Sequence, residues 1–330
     1  MDAEIREYLI GLVSALSSRD AMSAVGYSQN SFRSFKALLN DYSVELPKRK
    51  NQYDDAAEDP ELTVDTKNRK ALRSAIHRHV EVEQALVIAD LHGTEVDRKA
   101  FSIVLAVLAD LKPRYCFLDG DIVSFDSIAR FSKDPRVALI LQDELDQGNE
   151  ILDALQEASP GTEFIWIEGN HELRLRNYLR NNARELAALK VLKVTNLFRL
   201  EERGIKYIKQ VGKSGYTRYG AITIGHFDKY SAVPASVAKW FLEHRNESVI
   251  QAHTHKRCQL DRRFPDGTEI TAVETGCLCK LHPDYVTDPD WAQGFVLITK
   301  RTDTDRFHIN AIRIIDHEAL VGDVLYTGVE

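Results

Sequence analysis

The sequence has no long hydrophobic run, few cysteines and no excess of basic residues. No apolar stretch approaches the ~18 residues of a membrane-spanning helix, and Met1–Glu4 lacks the basic start and apolar core of a secretory signal. We therefore expect a cytoplasmic protein without membrane contact. Its 4 cysteines are too few and too irregularly spaced for a disulfide framework or a four-cysteine zinc site, so we expect reduced thiols.

The charge balance excludes a surface that is basic throughout. The formal net charge of −7 argues against a protein that coats nucleic acid, although it leaves room for a local basic site. Hydrophobic residues make up 44% and charged residues 28% of the chain, which is typical of a globular protein rather than of a disordered one. A chain of 330 residues has room for one large domain or two modest ones.

The beginning of the chain predicts a small helical module that resembles a helix-turn-helix. Apolar residues recur at helical spacing over residues 4–17 and again on both sides of a turn at Gly26. The helix predicted from Ser28 to Leu39 would then present Arg33 and Lys36 to DNA. A helical packing or assembly module fits the same pattern, and the sequence leaves both interpretations open.

Composition divides the chain into three parts. Residues 1–46 form the helical module, 47–80 form a linker that has little to bury at its start, and 81–330 form the main domain. In the main domain, β-rich runs at 85–89, 115–118 and 164–167 alternate with predicted helices over 94–111, 136–158 and 171–189. Further strands are predicted near 219–225, 248–252, 268–273, 294–299 and 307–314. This alternation predicts an α/β fold with mainly parallel sheet, arranged as a four-layer α/β/β/α sandwich.

Polar residues with metal-binding chemistry follow the buried-looking strands. They stand in five blocks: Asp90-Leu91-His92, Gly120-Asp121, Gly169-Asn170-His171-Glu172, Gly225-His226 and His253-Thr254-His255. Ligands collect at the carboxyl ends of parallel strands, so we expect these side chains to converge. Carboxylate, amide and imidazole ligands suit Mn²⁺, Fe, Zn²⁺, Ni²⁺ or Mg²⁺ rather than copper or iron–sulfur clusters.

These five blocks, in this order, resemble the signature of the calcineurin-like metallophosphoesterase superfamily. The resemblance covers about residues 85–300 and implies two divalent metal ions, with Mn²⁺ favoured, that hold a hydroxide and clamp the phosphoryl oxygens. It assigns Asp90, His92, Asp121 and His255 to the first metal. It assigns Asp121, Asn170, His226 and His253 to the second metal, so that Asp121 bridges the two. His171 would protonate the leaving oxygen.

Several sequence features indicate which subgroup of this superfamily the chain resembles. Ser124 stands where the second block usually carries an aspartate, and the Asp-Arg-Gly continuation of Ser/Thr protein phosphatases is missing. The helix opening that carries Arg174 and Arg176, together with the late segment 291–295, resembles phage and prophage metallophosphoesterases. Both arginines are candidates for contact with substrate phosphate.

The sequence therefore predicts a metal-dependent hydrolase of phosphoesters. Phosphodiesters, in nucleic acid or nucleotides, are favoured because the protein-phosphatase features are incomplete and the chain begins with a helix-turn-helix-like segment. A broad phosphomonoesterase is the alternative enzyme, and an inactive, metal-binding DNA regulator is the alternative from another class. Asp119 and Glu168 flank ligand positions, where they either support a histidine or are merely solvated. Trp291 and Phe295 are expected to pack in the core or at its rim.

Overall fold

The structure is a computed structural model that describes residues 2–15, 21, 24–25, 32–45, 79–129, 140–210, 214–283 and 289–330. The chain divides into two compact units, Met1–Arg78 and His79–Glu330. The predicted boundaries at 46/47 and 80/81 stay predictions, because most of the predicted linker lies outside the described residues. No described helix is long and apolar enough to cross a membrane.

The described part of the first unit includes the helices α1 (Asp2–Ala15) and α2 (Phe32–Asp41). They share a small apolar core made by Leu9, Val13, Ala21, Phe35, Leu39 and Val44. Lys36 is exposed on α2. Gly26, Ser28 and the side chain of Arg33 lie outside the described residues, so the helix-turn-helix interpretation stays a prediction.

The second unit contains the remaining elements. Its helices are α3 (Arg98–Leu111), α4 (Leu141–Ala158), α5 (Glu172–Asn182), α6 (Val194–Leu197) and α7 (Ser236–His244). Its strands are β1 (Val82–Ile88), β2 (Tyr115–Asp119), β3 (Glu163–Ile167), β4 (Lys206–Ile208), β5 (Ser214–Tyr219), β6 (Ile222–Phe227), β7 (Ser248–Gln251), β8 (Arg257–Arg263), β9 (Glu269–Thr275), β10 (Gly294–Arg301), β11 (Phe307–Arg313), β12 (Glu318–Val321) and β13 (Val324–Thr327).

Two large sheets organise this unit. The first has the order β11-β10-β1-β2-β3-β4, and its four strands β1 to β4 run parallel to one another. The second has the order β5-β6-β7-β9-β8, in which β6, β7 and β9 are parallel. Strands β12 and β13 form a separate hairpin. Since parallel strands share a direction, the loops after β1, β2 and β3 emerge at one edge of the first sheet.

Three apolar layers confirm the predicted α/β/β/α sandwich. Side chains such as Val87 and Phe117 of the first sheet meet Ile224 and Ile250 of the second in the central layer. The other face of the first sheet packs against α3 and α4. Helix α7 covers the outer face of the second sheet. Cys116 is buried in β2, as the sequence predicts.

Three predicted elements have different bounds in the structure. The helix predicted over 171–189 ends at Asn182, because Ala183 leaves the helical region with φ −151°. The strand predicted over 219–225 is two strands, since Gly220, with φ +59°, turns the chain between β5 and β6. The helix predicted over 136–158 is described from Leu141, and residues 130–139 lie outside the described part of the chain.

Candidate metal centre

The polar side chains lie where strands end and the backbone turns sharply. Asp90 and His92 follow β1, Asp121 follows β2, and His253 and His255 follow β7. All five have a positive φ, between 51° and 78°. Non-glycine residues adopt this left-handed region at a conformational cost, and such strain concentrates at functional sites. The backbone here thus aims several side chains at one place.

Asp90, His92 and His255 form a first group of donor atoms. The Nε2 atoms of the two histidines lie 3.0 Å apart, and Asp90 Oδ1 lies 3.3 Å from His255 Nε2 and 3.8 Å from His92 Nε2. All three residues are buried. Asp90 Oδ1 has no hydrogen-bond partner within the described residues, whereas Oδ2 accepts from the His253 amide at 3.0 Å.

Asp121, Asn170, His226 and His253 form a second group. Asn170 Oδ1 lies 3.0 Å from His226 Nε2 and 2.7 Å from His253 Nδ1. Asp121 Oδ2 lies 3.3 Å from His226 Nε2. Donor atoms of Asp121 also lie within 4.8 Å of those of His92. Asp121 is therefore the residue whose carboxylate reaches toward both groups.

This donor set fits divalent cations. Carboxylate and amide oxygens and imidazole nitrogens gather in a buried space, and Asp90 Oδ1 is left there without a hydrogen-bond partner among the described residues. Burying a polar atom in this way is costly unless something satisfies it. Oxygen and imidazole donors together suit Mn²⁺, Fe, Zn²⁺, Ni²⁺ or Mg²⁺.

Electrostatics divide the histidines of the centre into two kinds. Burial lowers the pKa of His255, but the Asp90 carboxylate outweighs it and raises this pKa to about 10. For His226, burial is likewise outweighed by Asp121, and the pKa is raised well above its usual value. Burial dominates at His92 and holds its pKa well below the usual value. Without metals, the Asp121 and Asp90 carboxylates thus favour the protonated forms of His226 and His255, respectively.

Glu172 supports the loops of the centre from beneath. It is fully buried, and its carboxylate accepts backbone N–H groups of Asp121 at 3.0 Å, Ile122 at 2.8 Å, Val123 at 3.3 Å and Gly169 at 2.8 Å. One side chain therefore fixes the loop after β2 to the loop after β3. The motif pattern included Glu172, but its position in the sequence did not reveal this role.

Two glycines let the loops approach one another. A Cβ atom at Gly120 would collide with the ring of His226. A Cβ atom at Gly169 would collide with the carboxylate and backbone of Asp121. Gly120 also has φ +79°, which glycine adopts without strain. The glycines of the motifs are thus required by close packing around the candidate ligands.

His171 lies at the edge of the centre in a defined hydrogen-bonding environment. Its Nδ1 lies 3.1 Å from the carbonyl oxygen of Ser124, and its Nε2 lies 2.8 Å from an Arg174 guanidinium nitrogen. Because Arg174 has only donors, His171 accepts at Nε2 and donates from Nδ1. Burial lowers the pKa of His171 to about 3, and the charge of Arg174 contributes to the decrease. His171 is therefore a neutral imidazole here.

The residue that departs from the usual motif also contacts the centre. Ser124 donates its hydroxyl to the carbonyl oxygen of His92 at 3.0 Å, and this hydroxyl lies 3.3 Å from His92 Nδ1. Asp126 instead pairs with Arg174 at 2.7 Å. Ser124 thus contacts the candidate ligand His92. The next acidic residue, Asp126, binds Arg174 instead.

The remaining candidates lie close to the centre with other partners. Arg176 donates two hydrogen bonds to Glu168, at 3.2 and 3.0 Å, and Glu168 also accepts the Gln210 amide at 2.7 Å. The carbonyl oxygen of Asp119 lies 2.7 Å from His226 Nδ1, and its buried carboxyl has a pKa raised well above the usual value by burial. Neither Asp119 nor Glu168 is a solvated loop residue.

Three further side chains border His255 or the core. Trp291 packs edge-on against His255, with ring centroids 4.2 Å apart, and Phe295 is buried in the core. Cys279 Sγ lies 3.9 Å from His255 Nδ1 and joins His92 and His255 in a group of potential ligands. Sequence reasoning missed Cys279, because no regular cysteine spacing marks it.

Comparison with known proteins places this geometry in a family. Residues 84–257 match the family model described as calcineurin-like phosphoesterase. Among solved structures, a Vps29 mutant from Entamoeba histolytica is 14% identical, with 75% of this chain and 99% of that chain covered and a TM-score of 0.35. A purple acid phosphatase from yellow lupin (Lupinus luteus) is 10% identical, with 70% and 53% covered and a TM-score of 0.36.

A dimetal phosphatase from Danio rerio is also 10% identical, with 69% of this chain and 98% of that chain covered and a TM-score of 0.32. No curated protein gives a significant match. The family model covers the segment from β1 to the start of β8, and this segment contains every candidate ligand.

Proposed function

Because this chain belongs to the calcineurin-like phosphoesterase family, we propose that it is a dinuclear-metal-dependent phosphoesterase that hydrolyses phosphodiesters. The observation that carries the proposal is the meeting of two adjoining donor groups, with Asp121 reaching toward both. All seven proposed ligands contribute to these groups, which speaks against an inactive descendant that keeps only the fold.

The chain's own residues would divide between two cations. Asp90, His92, Asp121 and His255 would hold one, and Asp121, Asn170, His226 and His253 would hold the other. When bound, such cations stabilise charge on phosphoryl oxygens and lower the pKa of water. Glu172 and the strained backbone keep the donor atoms in place, so that little reorganisation is needed when substrate binds.

His171 and Arg174 would act on the leaving group and the phosphoryl oxygens. In the described arrangement His171 Nε2 accepts from Arg174, so the histidine carries no proton at the atom nearest Asp121. We propose that a bound phosphoryl group draws the Arg174 guanidinium to itself, since planar guanidinium donors suit phosphate. His171 Nε2 would then be released to take up a proton from solvent water and deliver it to the leaving oxygen.

The proposed preference for diesters rests on the segment after β2, which lacks the Asp-Arg-Gly continuation of Ser/Thr protein phosphatases. Ser124, which stands where the second block usually carries an aspartate, contacts His92, and Asp126 is held by Arg174. We propose nucleotide or nucleic-acid diesters as the substrate class. A broad phosphomonoesterase is the outcome that the following test would reveal instead.

The test is turnover after metal exchange. Protein stripped by a chelator should lose hydrolysis of bis-p-nitrophenyl phosphate and regain it best with Mn²⁺, while its metal content rises to about two ions per chain. Hydrolysis of p-nitrophenyl phosphate should be slower under the same conditions. Full activity after exhaustive chelation would contradict the metal-dependent mechanism, and a faster monoester would overturn the diester preference.

A further inference from the structure

A second concave feature lies next to the centre and takes no part in the function described so far. It is a cavity of about 480 Å³ between helix α5, the segment 187–195 and strand β4. Its floor and walls are mainly aliphatic and include Leu175, Leu179, Leu192 and Val194. Leu175 and Val194 are buried, so the cavity has a fixed apolar base. This volume is within the range of small-molecule sites.

The entrance to this cavity is basic. Arg176 and Arg180 of α5, Lys193, and Lys209 after β4 all line it, and Glu168 is the one acidic residue of the described lining. Glu168 is paired with Arg176. Within the described residues no ion pair holds Arg180, Lys193 or Lys209. The opening thus carries three positive charges without an ion pair among the described residues, although the chain as a whole has a net charge of −7. Such a group of charges attracts anions.

The cavity adjoins the candidate metal centre through Glu168. This residue lines the cavity and stands two positions before the proposed ligand Asn170, and two residues span at most about 7 Å. Its carboxylate is held by Arg176 and by the Gln210 amide. The centre and the cavity therefore lie close together along this loop, and a substituent of a phosphodiester bound at the centre would pass the Glu168–Arg176 pair to enter the cavity.

We propose that this cavity receives the nucleoside group next to the scissile phosphate of a nucleotide phosphodiester. The inference rests on the proposed function and names its substrate class. The aliphatic walls would pack on the faces of the base, and the Thr195 hydroxyl, which donates to Asn196 Oδ1 at 3.1 Å, would accept a hydrogen bond from its edge. Lys193 and Lys209 would contact the next phosphate of the chain. A single phosphate is far too small to need a cavity of this volume.

Matched substrates test the apolar part of the cavity. Bis-p-nitrophenyl phosphate and the p-nitrophenyl ester of thymidine 5′-monophosphate release the same leaving group, so a difference between them reports the other substituent. We expect kcat/KM to be at least about tenfold higher for the thymidine ester. Leu192→Trp, which fills the cavity, should remove this advantage and leave bis-p-nitrophenyl phosphate within about twofold.

The basic entrance is tested with the same ester carrying a 3′-phosphate. The double variant Lys193→Glu/Lys209→Glu should raise KM for this substrate about tenfold, leave kcat unchanged and spare the substrate without a 3′-phosphate. Lys239→Glu/Arg263→Glu makes the same charge change on other exposed side chains and should have no effect. These surface variants are expected to fold. They therefore test the cavity proposal even if the Leu192→Trp variant fails to fold.

A binding measurement makes the test independent of turnover. Thymidine 3′,5′-bisphosphate should bind the metal-free protein in calorimetry at low salt, and Lys193→Glu/Lys209→Glu should weaken this binding about tenfold. If bis-p-nitrophenyl phosphate is hydrolysed but neither the thymidine ester nor the bisphosphate depends on these residues, the cavity inference is wrong and the proposed function stands. Preference for a hexadecyl p-nitrophenyl phosphate, abolished in Leu192→Trp, would overturn it in favour of a long alkyl chain.

If no diester is hydrolysed with any metal, the proposed function fails by itself. Binding of the bisphosphate that depends on Lys193 and Lys209 would in that case still support a nucleotide site. Absence of such binding, in a folded protein, would overturn the inference as well.

Discussion

The two compact units of this chain use their polar residues in opposite ways. In His79–Glu330, acids and histidines are buried close together, and Glu172 alone accepts four backbone N–H groups. In the described part of Met1–Arg78, the buried core is apolar, and Lys36 lies on the exposed surface of α2. Burying polar groups costs free energy unless hydrogen bonds, ion pairs or a bound metal satisfy them. The candidate chemistry therefore lies in the larger unit.

Changing Asp121 should have the largest effect on hydrolysis. Asp121→Asn removes the charge that reaches toward both donor groups, so turnover of bis-p-nitrophenyl phosphate should fall about 10³-fold, equivalent to losing several kcal/mol of charge stabilisation. Metal content should fall with it, as measured by elemental analysis. The exposed control Glu269→Gln should behave as wild type. Near-normal turnover of Asp121→Asn would show that Asp121 does not bridge.

A second prediction concerns pH. In the metal-free protein the pKa of His255 is raised to about 10 and that of His226 is raised by Asp121, so metal binding must displace about two protons near neutrality. Because each cation displaces one of these protons, the apparent affinity for each cation should rise up to about tenfold per pH unit between pH 6 and 8. Calorimetry in buffers of different ionisation enthalpy measures the protons released. A pH-independent affinity would contradict this pairing.

The same protons affect the stability of the metal-free protein in the opposite sense. A histidine whose folded pKa lies above its unfolded value of 6.5 stabilises the fold fully below that pH. This contribution is lost as the pH rises toward the folded value of about 10. Thermal unfolding of the metal-free protein at several pH values should therefore show this decrease in stability, and bound metal should remove it.

A third prediction separates catalysis from metal binding at the edge of the centre. His171→Gln should lower turnover about 10²-fold, the usual scale for a general acid, while metal content stays at the wild-type level. The decrease should be smaller for p-nitrophenolate than for an alkoxide leaving group, which needs the proton more. A fall in metal content in this variant would identify His171 as a ligand, consistent with its nearness to His92 and Asp121.

A fourth prediction tests the support beneath the centre. Glu172→Gln places an amide N–H₂ among four backbone donors, so one of the loops must shift. Metal affinity should fall about 10- to 100-fold, as is usual when residues that orient ligands are changed. Glu185→Gln, in an exposed turn of the same segment, is the matched control. Unchanged affinity in Glu172→Gln would mean that the loops hold their positions without it.

The sequence predicted the strands and layers of the larger unit better than the hydrogen bonds that hold its loops together. The strands that precede Asp90, Asp121 and Asn170 could be located because each buried run is followed by polar residues and glycine. The hydrogen bonds that Glu172 accepts could not be predicted, because their donors lie on two loops that meet only in the folded chain. The turn at Gly220 was missed because the apolar pattern continues on both sides of it.

The smallest expected effect on hydrolysis comes from removing the first unit. We propose that this unit contacts nucleic acid through Arg33 and Lys36, of which the Lys36 side chain is exposed on α2. Deleting residues 1–50 should leave hydrolysis of bis-p-nitrophenyl phosphate within about twofold, since every candidate ligand follows residue 89 and small-diester chemistry needs no distant phosphate contact.

The same deletion should weaken binding to DNA and reduce its salt dependence by about one unit of slope for each phosphate that the protein no longer binds. Binding is measured by fluorescence anisotropy across a salt series, and Lys36→Glu in the full chain is the single-residue companion. If the full chain does not bind DNA at low salt, or if truncation instead changes the oligomeric state, the first unit is an assembly module. The larger unit would then act on its substrates without it.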